Sequence, residues 1–139
     1  MDKYTFEFDT NSYDIDISNY MNDEKNEINL INGLTHKNII DLLKHRENID
    51  FDIAYYDQTC QHCLNGVLEK SKYFQFLEYS FYAFTKNDVY VVSNISEEYK
   101  NTSFKKMLKK DIVDTSYIIS IIVCIKCGKY TIEIEECEC

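Results

Sequence analysis

The sequence contains no proline and no tryptophan, and only three glycines in 139 residues. It also lacks a surplus of positive charge: 15 Lys and Arg are set against 24 Asp and Glu, so the formal net charge is −9. Nucleic-acid binding normally relies on a basic surface that displaces counterions from phosphates. The charge balance therefore argues against a nucleic-acid partner.

Long apolar runs are absent as well. The longest one, residues 117–125, is far shorter than the roughly 20 residues of a membrane-spanning helix. The first residues, MDKYTFEFD, are acidic and polar and do not resemble a signal peptide. We therefore expect a cytoplasmic protein with no membrane partner. In a reducing cytosol, its six cysteines are more suited to binding metal than to forming disulfides.

The length and composition predict one domain, residues 1–139, with a single hydrophobic core. A hydrophobic fraction of 45% and an aromatic fraction of 14% argue against disorder. Because the aromatic residues are twelve Tyr and eight Phe, they favour strands with amphipathic aromatic faces.

Alternation of apolar and polar residues predicts an antiparallel β-sheet. The strands are expected in an opening hairpin at residues 4–8 and 13–17, and then at 49–55, 73–84, 89–93, 117–123 and 130–136. Helical spacing predicts a helix over residues 36–46 with Thr35 as N-cap, another around residues 104–108, and a short one over 21–31. The fold class is thus α+β, with two or three short helices.

The cysteines include two Cys-x-x-Cys pairs, at positions 60–63 and 124–127. One such turn presents two sulfurs to an ion, and a second turn completes a tetrahedron. Two of the three glycines, Gly66 and Gly128, closely follow the pairs, where a tight turn benefits from positive φ. The pattern predicts a structural zinc site whose ligands are Cys60, Cys63, Cys124 and Cys127.

The pairs are separated by residues 64–123, a longer spacing than in a compact zinc ribbon. This spacing is tolerable, because lengthening a loop three- to fourfold adds roughly 1 kcal/mol of closure entropy. A structural zinc site contributes on the order of 10–16 kcal/mol.

Other interpretations of these cysteines stay open. Iron also accepts four thiolates and is the main alternative ion. The pairs could instead be redox-active dithiols or reduced thiols in the core, although neither pair precedes a helix whose N-terminus would lower a thiol pKa. Cys137 and Cys139 could be further ligands, a resolving pair for redox chemistry, or a frayed tail. His62, within the first pair, and His36 and His45 are expected at the surface.

The segment Cys124-Ile-Lys-Cys-Gly-Lys-Tyr130 resembles the knuckles of zinc ribbons and rubredoxins, in which both Cys pairs bind one metal. Rubredoxins are more compact and usually carry proline in a knuckle, so the absence of proline argues against electron transfer. Across most of its length the chain resembles a small family of uncharacterised proteins from low-GC Gram-positive bacteria, each a domain of unknown function. This resemblance rests on the segments FEF, TCQHCLNG, KYFQFLEYSFY and VCIKCGKYTIEIE, and it implies no activity.

These observations favour a small acidic protein that binds another protein, with a thiol-dependent redox protein as the alternative. Four sulfurs would close the tetrahedron, and no nucleophile–base pattern stands out, so the expectation leans against an enzyme. The second predicted helix has a basic face, which suits either the helix dipole or an acidic partner. That face consists of Lys105, Lys106, Lys109 and Lys110.

Overall fold

The computed structural model describes residues 3–21, 31–46, 49–60, 62–64 and 66–137. The elements in this part of the chain are β1 (Lys3–Phe8), β2 (Asn11–Asp16), α1 (His36–His45), β3 (Asp52–Tyr56), β4 (Phe74–Lys86), β5 (Val89–Ser93), α2 (Phe104–Lys109), β6 (Thr115–Cys124) and β7 (Tyr130–Cys137). The predicted α+β class agrees with this mostly antiparallel β structure with two helices. The short helix predicted over residues 21–31 falls almost wholly outside the described residues.

The main sheet has five antiparallel strands in the order β3-β4-β6-β7, with β5 also paired to β4. The long strand β4 forms its centre: β3 pairs with its first residues and β5 with its last ones. Strand β6 pairs along the opposite edge of β4 and then with β7. Each of these strands overlaps a predicted one, although the alternating apolar residues Ile53 and Tyr55 of the edge strand β3 are exposed, because neither face of β3 is fully covered.

One face of the sheet carries the main hydrophobic core. The β1–β2 hairpin and α1 cover this face: Phe6 stacks on Phe51 with ring centroids 4.0 Å apart, and Ile39 and Leu43 of α1 are completely buried. Buried residues of the sheet complete the core, including Leu77, Phe81, Ile119, Ile121, Tyr130 and Ile132. The opposite face has two smaller apolar clusters, one at each end.

Two hairpin turns form without glycine. Asp9 and Thr10 join β1 to β2 with φ of 49° and 70°, and Asn87 and Asp88 join β4 to β5 with φ of 51° and 65°. Two consecutive residues with positive φ define the turn that matches the twist of a hairpin. Asn and Asp tolerate this conformation best among non-glycine residues, which is how a glycine-poor chain makes tight turns.

Helix α1 begins one residue after Thr35, as predicted. The Thr35 side chain accepts a hydrogen bond from the Asn38 N–H, and the Asn38 side chain accepts one from the Thr35 N–H. Two backbone donors at the start of the helix are therefore satisfied. In α2, the Ser103 side chain accepts from the Lys106 N–H, which identifies Ser103 as its N-cap. None of the helices in the described residues is long and apolar enough to cross a membrane.

The expected solvent exposure of His36 is wrong. His36 is half-buried, with its Nε2 2.5 Å from the Tyr130 hydroxyl and its ring edge-on to Tyr20. The first turn of α1 packs on the start of β7, a contact across 94 positions that helical periodicity does not encode. His45, at the other end of α1, is exposed as expected.

Candidate metal centre

Strand direction brings the two Cys-x-x-Cys turns together. Strands β3 and β6 lie on opposite edges of β4 and both run antiparallel to it, so they end at the same end of the sheet. The first turn follows β3, and the second links β6 to β7. Between the two turns, the chain runs away from the site along β4 and comes back to it along β6. A wide spacing in sequence therefore still gives a compact site.

The four sulfur atoms converge. The Sγ atoms of Cys60 and Cys127 lie 3.6 Å apart, and those of Cys63 and Cys124 lie 3.5 Å apart. All four Sγ atoms lie within 4.8 Å of one another. A tetrahedral ion with bonds of about 2.3 Å to sulfur separates its ligands by roughly 3.8 Å. The cluster therefore has the composition and the approximate size of a four-thiolate metal site, which fits zinc or iron.

Backbone N–H groups of each turn act on the first sulfur of its pair. Those of His62 and Cys63 act to lower the pKa of Cys60, and those at positions 126 and 127 act to lower the pKa of Cys124. The same offsets therefore recur in the two turns. Each turn is closed by an N–H four residues on, with Leu64 donating to the Cys60 carbonyl at 2.9 Å and Gly128 donating to the Cys124 carbonyl at 3.0 Å.

The thiols of the cluster differ in pKa. Burial acts to raise the pKa of Cys60, but hydrogen bonds from the Cys63 and His62 N–H groups and from the Cys127 and Cys124 thiols together outweigh it, and the net pKa is lowered. Burial raises the pKa of Cys124 and Cys127, and a negative charge on Cys60 raises both further. Four like charges at this distance repel one another, so a bound divalent cation would be needed to hold all four sulfurs as thiolates.

Both glycines that follow the Cys pairs have positive φ, as the sequence predicts, but they stand at different positions relative to the pairs. Gly128 directly follows Cys127 and has φ of 78°, as the sequence predicts. In the first turn the corresponding left-handed position is occupied by Leu64, with φ of 53°. Gly66 lies two residues further on with φ of 87°, and a Cβ there would also lie 2.9 Å from the Phe74 ring.

The cysteines lie in a small apolar cluster apart from the main core. Cys60 and Cys124 are buried with Phe76 and Ile122, and the partly buried Met21, Tyr56, Phe74 and Cys127 pack against them. The Tyr56 hydroxyl donates a hydrogen bond to Glu78, and burial together with this carboxylate raises the pKa of Tyr56. This environment excludes solvent from Cys60 and Cys124, whereas Cys63 is exposed.

Sequence reasoning missed one residue of the site. The Tyr13 hydroxyl donates to the carbonyl oxygen of Ile125 at 2.9 Å, which ties the opening hairpin to the second turn. Alternation correctly placed Tyr13 in the hairpin, but a contact across 112 positions leaves no local signal.

Among the described residues, the remaining His and Cys residues that the sequence analysis considered do not join the four sulfurs. His62 is exposed, as expected. Cys137 pairs with Ser116 at the far end of β7, so it is not a further ligand of this cluster. Cys139 lies outside the described residues.

A family model described as protein of unknown function (DUF3785) matches residues 4–139. No curated protein and no solved structure matches the chain.

Proposed function

The chain belongs to the family of proteins of unknown function DUF3785, and we propose that it is a cytoplasmic protein-interaction module held by a structural zinc ion. The observation that carries this proposal is the convergence of the four cysteine sulfurs within 4.8 Å. Four sulfurs satisfy tetrahedral zinc and leave no position for a substrate or a catalytic water. The proposed ion therefore stabilises the fold and takes no part in a reaction.

The interaction role is supported by the loop that the first turn begins. Between Cys63 and β4 the chain makes successive tight turns, with backbone bonds from Val67 to Leu64 and from Lys70 to Val67. Several large apolar side chains of this loop point into solvent. We call them the loop patch: Leu64, Val67, Leu68 and Tyr73, which are 53%, 45%, 93% and 67% exposed.

A single exposed apolar residue is ordinary, but a group of them beside an ordered site indicates a binding surface. Among the described residues of positions 57–73, Cys60 is the one that is buried, in the apolar cluster with Phe76, Ile122 and Cys124. Zinc would therefore fix the loop in place and present the patch to a partner. The net charge of −9 disfavours nucleic acid as that partner.

Metal analysis tests the structural half of the proposal. Protein purified without added metal is expected to carry one zinc per chain, and chelation is expected to remove folded structure together with the metal. If the analysis finds iron, and the protein absorbs visible light, the bound ion is iron and not zinc. Finding no metal, with a melting temperature that a chelator leaves unchanged, would contradict the proposal.

The interaction half is tested on the loop patch. Leu68→Ser should leave zinc content and melting temperature unchanged, because this side chain is 93% exposed, and should abolish retention of a partner by the immobilised protein. Val89→Ser serves as the control, since Val89 is 47% exposed on β5, which pairs with the end of β4 farthest from the turns. Equal retention by both variants would exclude the loop patch.

One observation favours a redox role as the second candidate. Cys60 has a lowered pKa, and its partner in the pair, Cys63, is exposed. A thiol of lowered pKa beside an accessible thiol is the arrangement of a reactive dithiol. Titration with a thiol reagent separates the two functions: zinc-bound thiolates react slowly until a chelator is added, whereas a redox pair reacts at once.

A further inference from the structure

Among the described residues, those that cover the face of the sheet opposite the main core lie at its two ends. One end carries the cysteine cluster with Phe76 and Ile122. The other carries α2, whose buried Met107 packs with Phe84 and Val92. Between them, strands β4, β6 and β7 present side chains that we call the acidic floor: Glu78, Ser80, Tyr82, Ile118, Ser120, Glu133 and Glu135.

The acidic floor is open to solvent and its charge is uncompensated. Ser80, Glu133 and Glu135 are exposed, and the hydroxyls of Ser80 and Ser120 lie 2.9 Å apart at its centre. No ion pair with Lys or Arg forms at its three glutamates within the part of the chain that the structure describes. The pKa of Glu133 is raised, first by partial burial and then by the neighbouring Glu135 and Glu78.

Helix α2 presents the opposite charge toward solvent above the same face. Met107 points into the sheet, so residues two positions before and after it, Lys105 and Lys109, point directly away from it, one turn apart. Lys106 and Lys110 flank them, and all four lysines are exposed. Among the described residues, none of the four has an ion-pair partner.

We propose that this face binds a second copy of the chain, with α2 of each protomer lying over the acidic floor of the other. The basic surface and the acidic floor belong to the same face, so a two-fold axis satisfies both contacts at once. The two helices would then lie side by side between two sheets. This inference is independent of the proposed function, because neither the loop patch nor the metal takes part.

The dimensions allow this arrangement. The open floor extends from the row of Glu78 to the row of Tyr82, four residues or roughly 14 Å along the strands. A helix has a diameter of about 10–12 Å, so one helix of a second protomer fits in this length. The half-exposed Tyr82 and Leu108, 39% and 45% exposed, supply apolar area for the contact.

The interface is small, so the dimer is expected to be weak and sensitive to salt. Three strands over this length bury well under the roughly 800 Å² per protomer of a standard interface, so the contact belongs to the small, weak class of interfaces. Its charge pairs lie near solvent and are screened as ionic strength rises. We therefore expect dissociation constants in the micromolar range or weaker at low salt, and monomers at about 0.5 M salt.

Analytical ultracentrifugation of the metal-loaded protein tests the proposal through charge reversal. Lys105→Glu/Lys109→Glu places acidic helices over acidic floors, and Glu133→Lys/Glu135→Lys places basic helices over basic floors. Each variant alone should dimerise at least tenfold more weakly than the wild type. An equimolar mixture should recover wild-type affinity, because both contacts in the mixed dimer then join opposite charges.

Glu7→Lys, which changes an exposed acidic residue of β1, is the control and should dimerise as the wild type does. Circular dichroism and melting temperature establish that each variant is folded. If a charge-reversal variant does not fold, Glu133→Gln/Glu135→Gln takes its place, and a smaller weakening of dimerisation is expected. A wild type that stays monomeric at millimolar concentration and low salt would overturn the proposal. So would variants that dimerise normally, or a mixture that shows no recovery.

Discussion

The two Cys-x-x-Cys turns are closed by the same backbone hydrogen bond, but different parts of the fold support them. The second turn connects β6 and β7, strands of 10 and 8 residues that both contribute to the main core. The first follows β3, an edge strand of 5 residues, and leads into a loop without regular structure. The sheet therefore preforms the second turn, whereas the first depends on what its sulfurs bind.

Contacts from distant parts of the chain strengthen this contrast. The second turn receives a hydrogen bond from the Tyr13 hydroxyl, and the β7 strand that leaves it is held by His36 and by a backbone bond from Met21 to the Tyr130 carbonyl at 2.8 Å. The first turn has its closest described packing partners in the small apolar cluster around Phe76. A metal that joins the two turns thus transfers the rigidity of the sheet to the loop.

Metal removal should give the largest difference between the two turns. After chelation, we expect amide hydrogen exchange in residues 57–73 to become nearly unprotected, while β6 and β7 keep at least about tenfold slower exchange, because local openings depend on local packing. The global unfolding free energy should fall by several kcal/mol. Cys137→Ser, remote from the cluster, is the control for chelation and should behave as the wild type. Equal loss of protection in both turns would contradict the contrast.

Gly128→Ala should be the next largest effect. At φ of 78° a Cβ meets the left-handed penalty, which is about 1–2 kcal/mol for an L-residue. No close contact adds to it, because the nearest atom, on the Tyr13 ring, lies 3.9 Å from the added Cβ. Urea denaturation of the zinc-loaded protein measures the loss. An unchanged midpoint would show that the second turn is not strained by a side chain.

Tyr13→Phe should cost about 1 kcal/mol, the usual value for one intramolecular hydrogen bond. The substitution removes only the hydroxyl that donates to Ile125 in the second turn. Because the ring stays stacked on Phe6, the main core should be intact. Tyr55→Phe, at a tyrosine that is 62% exposed on β3, is the matched control and should be neutral. If both variants denature alike, the link between the hairpin and the turn has no energetic role.

Leu64→Gly should act in the opposite direction and weakly. Leu64 holds the left-handed position of the first turn at φ of 53° and is 53% exposed, so little packing is lost. Relief of the left-handed penalty is partly offset by the greater freedom of glycine in the unfolded chain. A net gain of about 0.5 kcal/mol is expected, measured as a higher urea midpoint. A clear loss would mean that the Leu64 side chain itself supports the turn.

The sequence predicted what local patterns encode. Alternation located the strands, Thr35 identified the start of α1, and two Cys-x-x-Cys pairs indicated one cluster before any geometry was known. The prediction failed where contacts are distant in sequence: His36 was expected in solvent because helical spacing says nothing about Tyr130. It also failed where chemistry is unusual for the position, since nothing marks Leu64 as the residue that takes the conformation glycine has in the other turn.

Substitution of His36, which contacts Tyr130, should have the smallest effect on stability, because the effect appears only at acidic pH. Burial lowers the pKa of His36 below its usual value near 6.5, so the folded state favours the neutral ring. Above 6.5 both states are neutral and this contribution to stability is fully present. It is lost as pH falls through the lower folded pKa, because the unfolded chain then binds the proton more readily. His36→Gln should flatten the decline of the melting temperature below pH 6.5, whereas His45→Gln, at an exposed residue, should leave it unchanged. Identical pH profiles for the two variants would remove His36 from the support of the second turn.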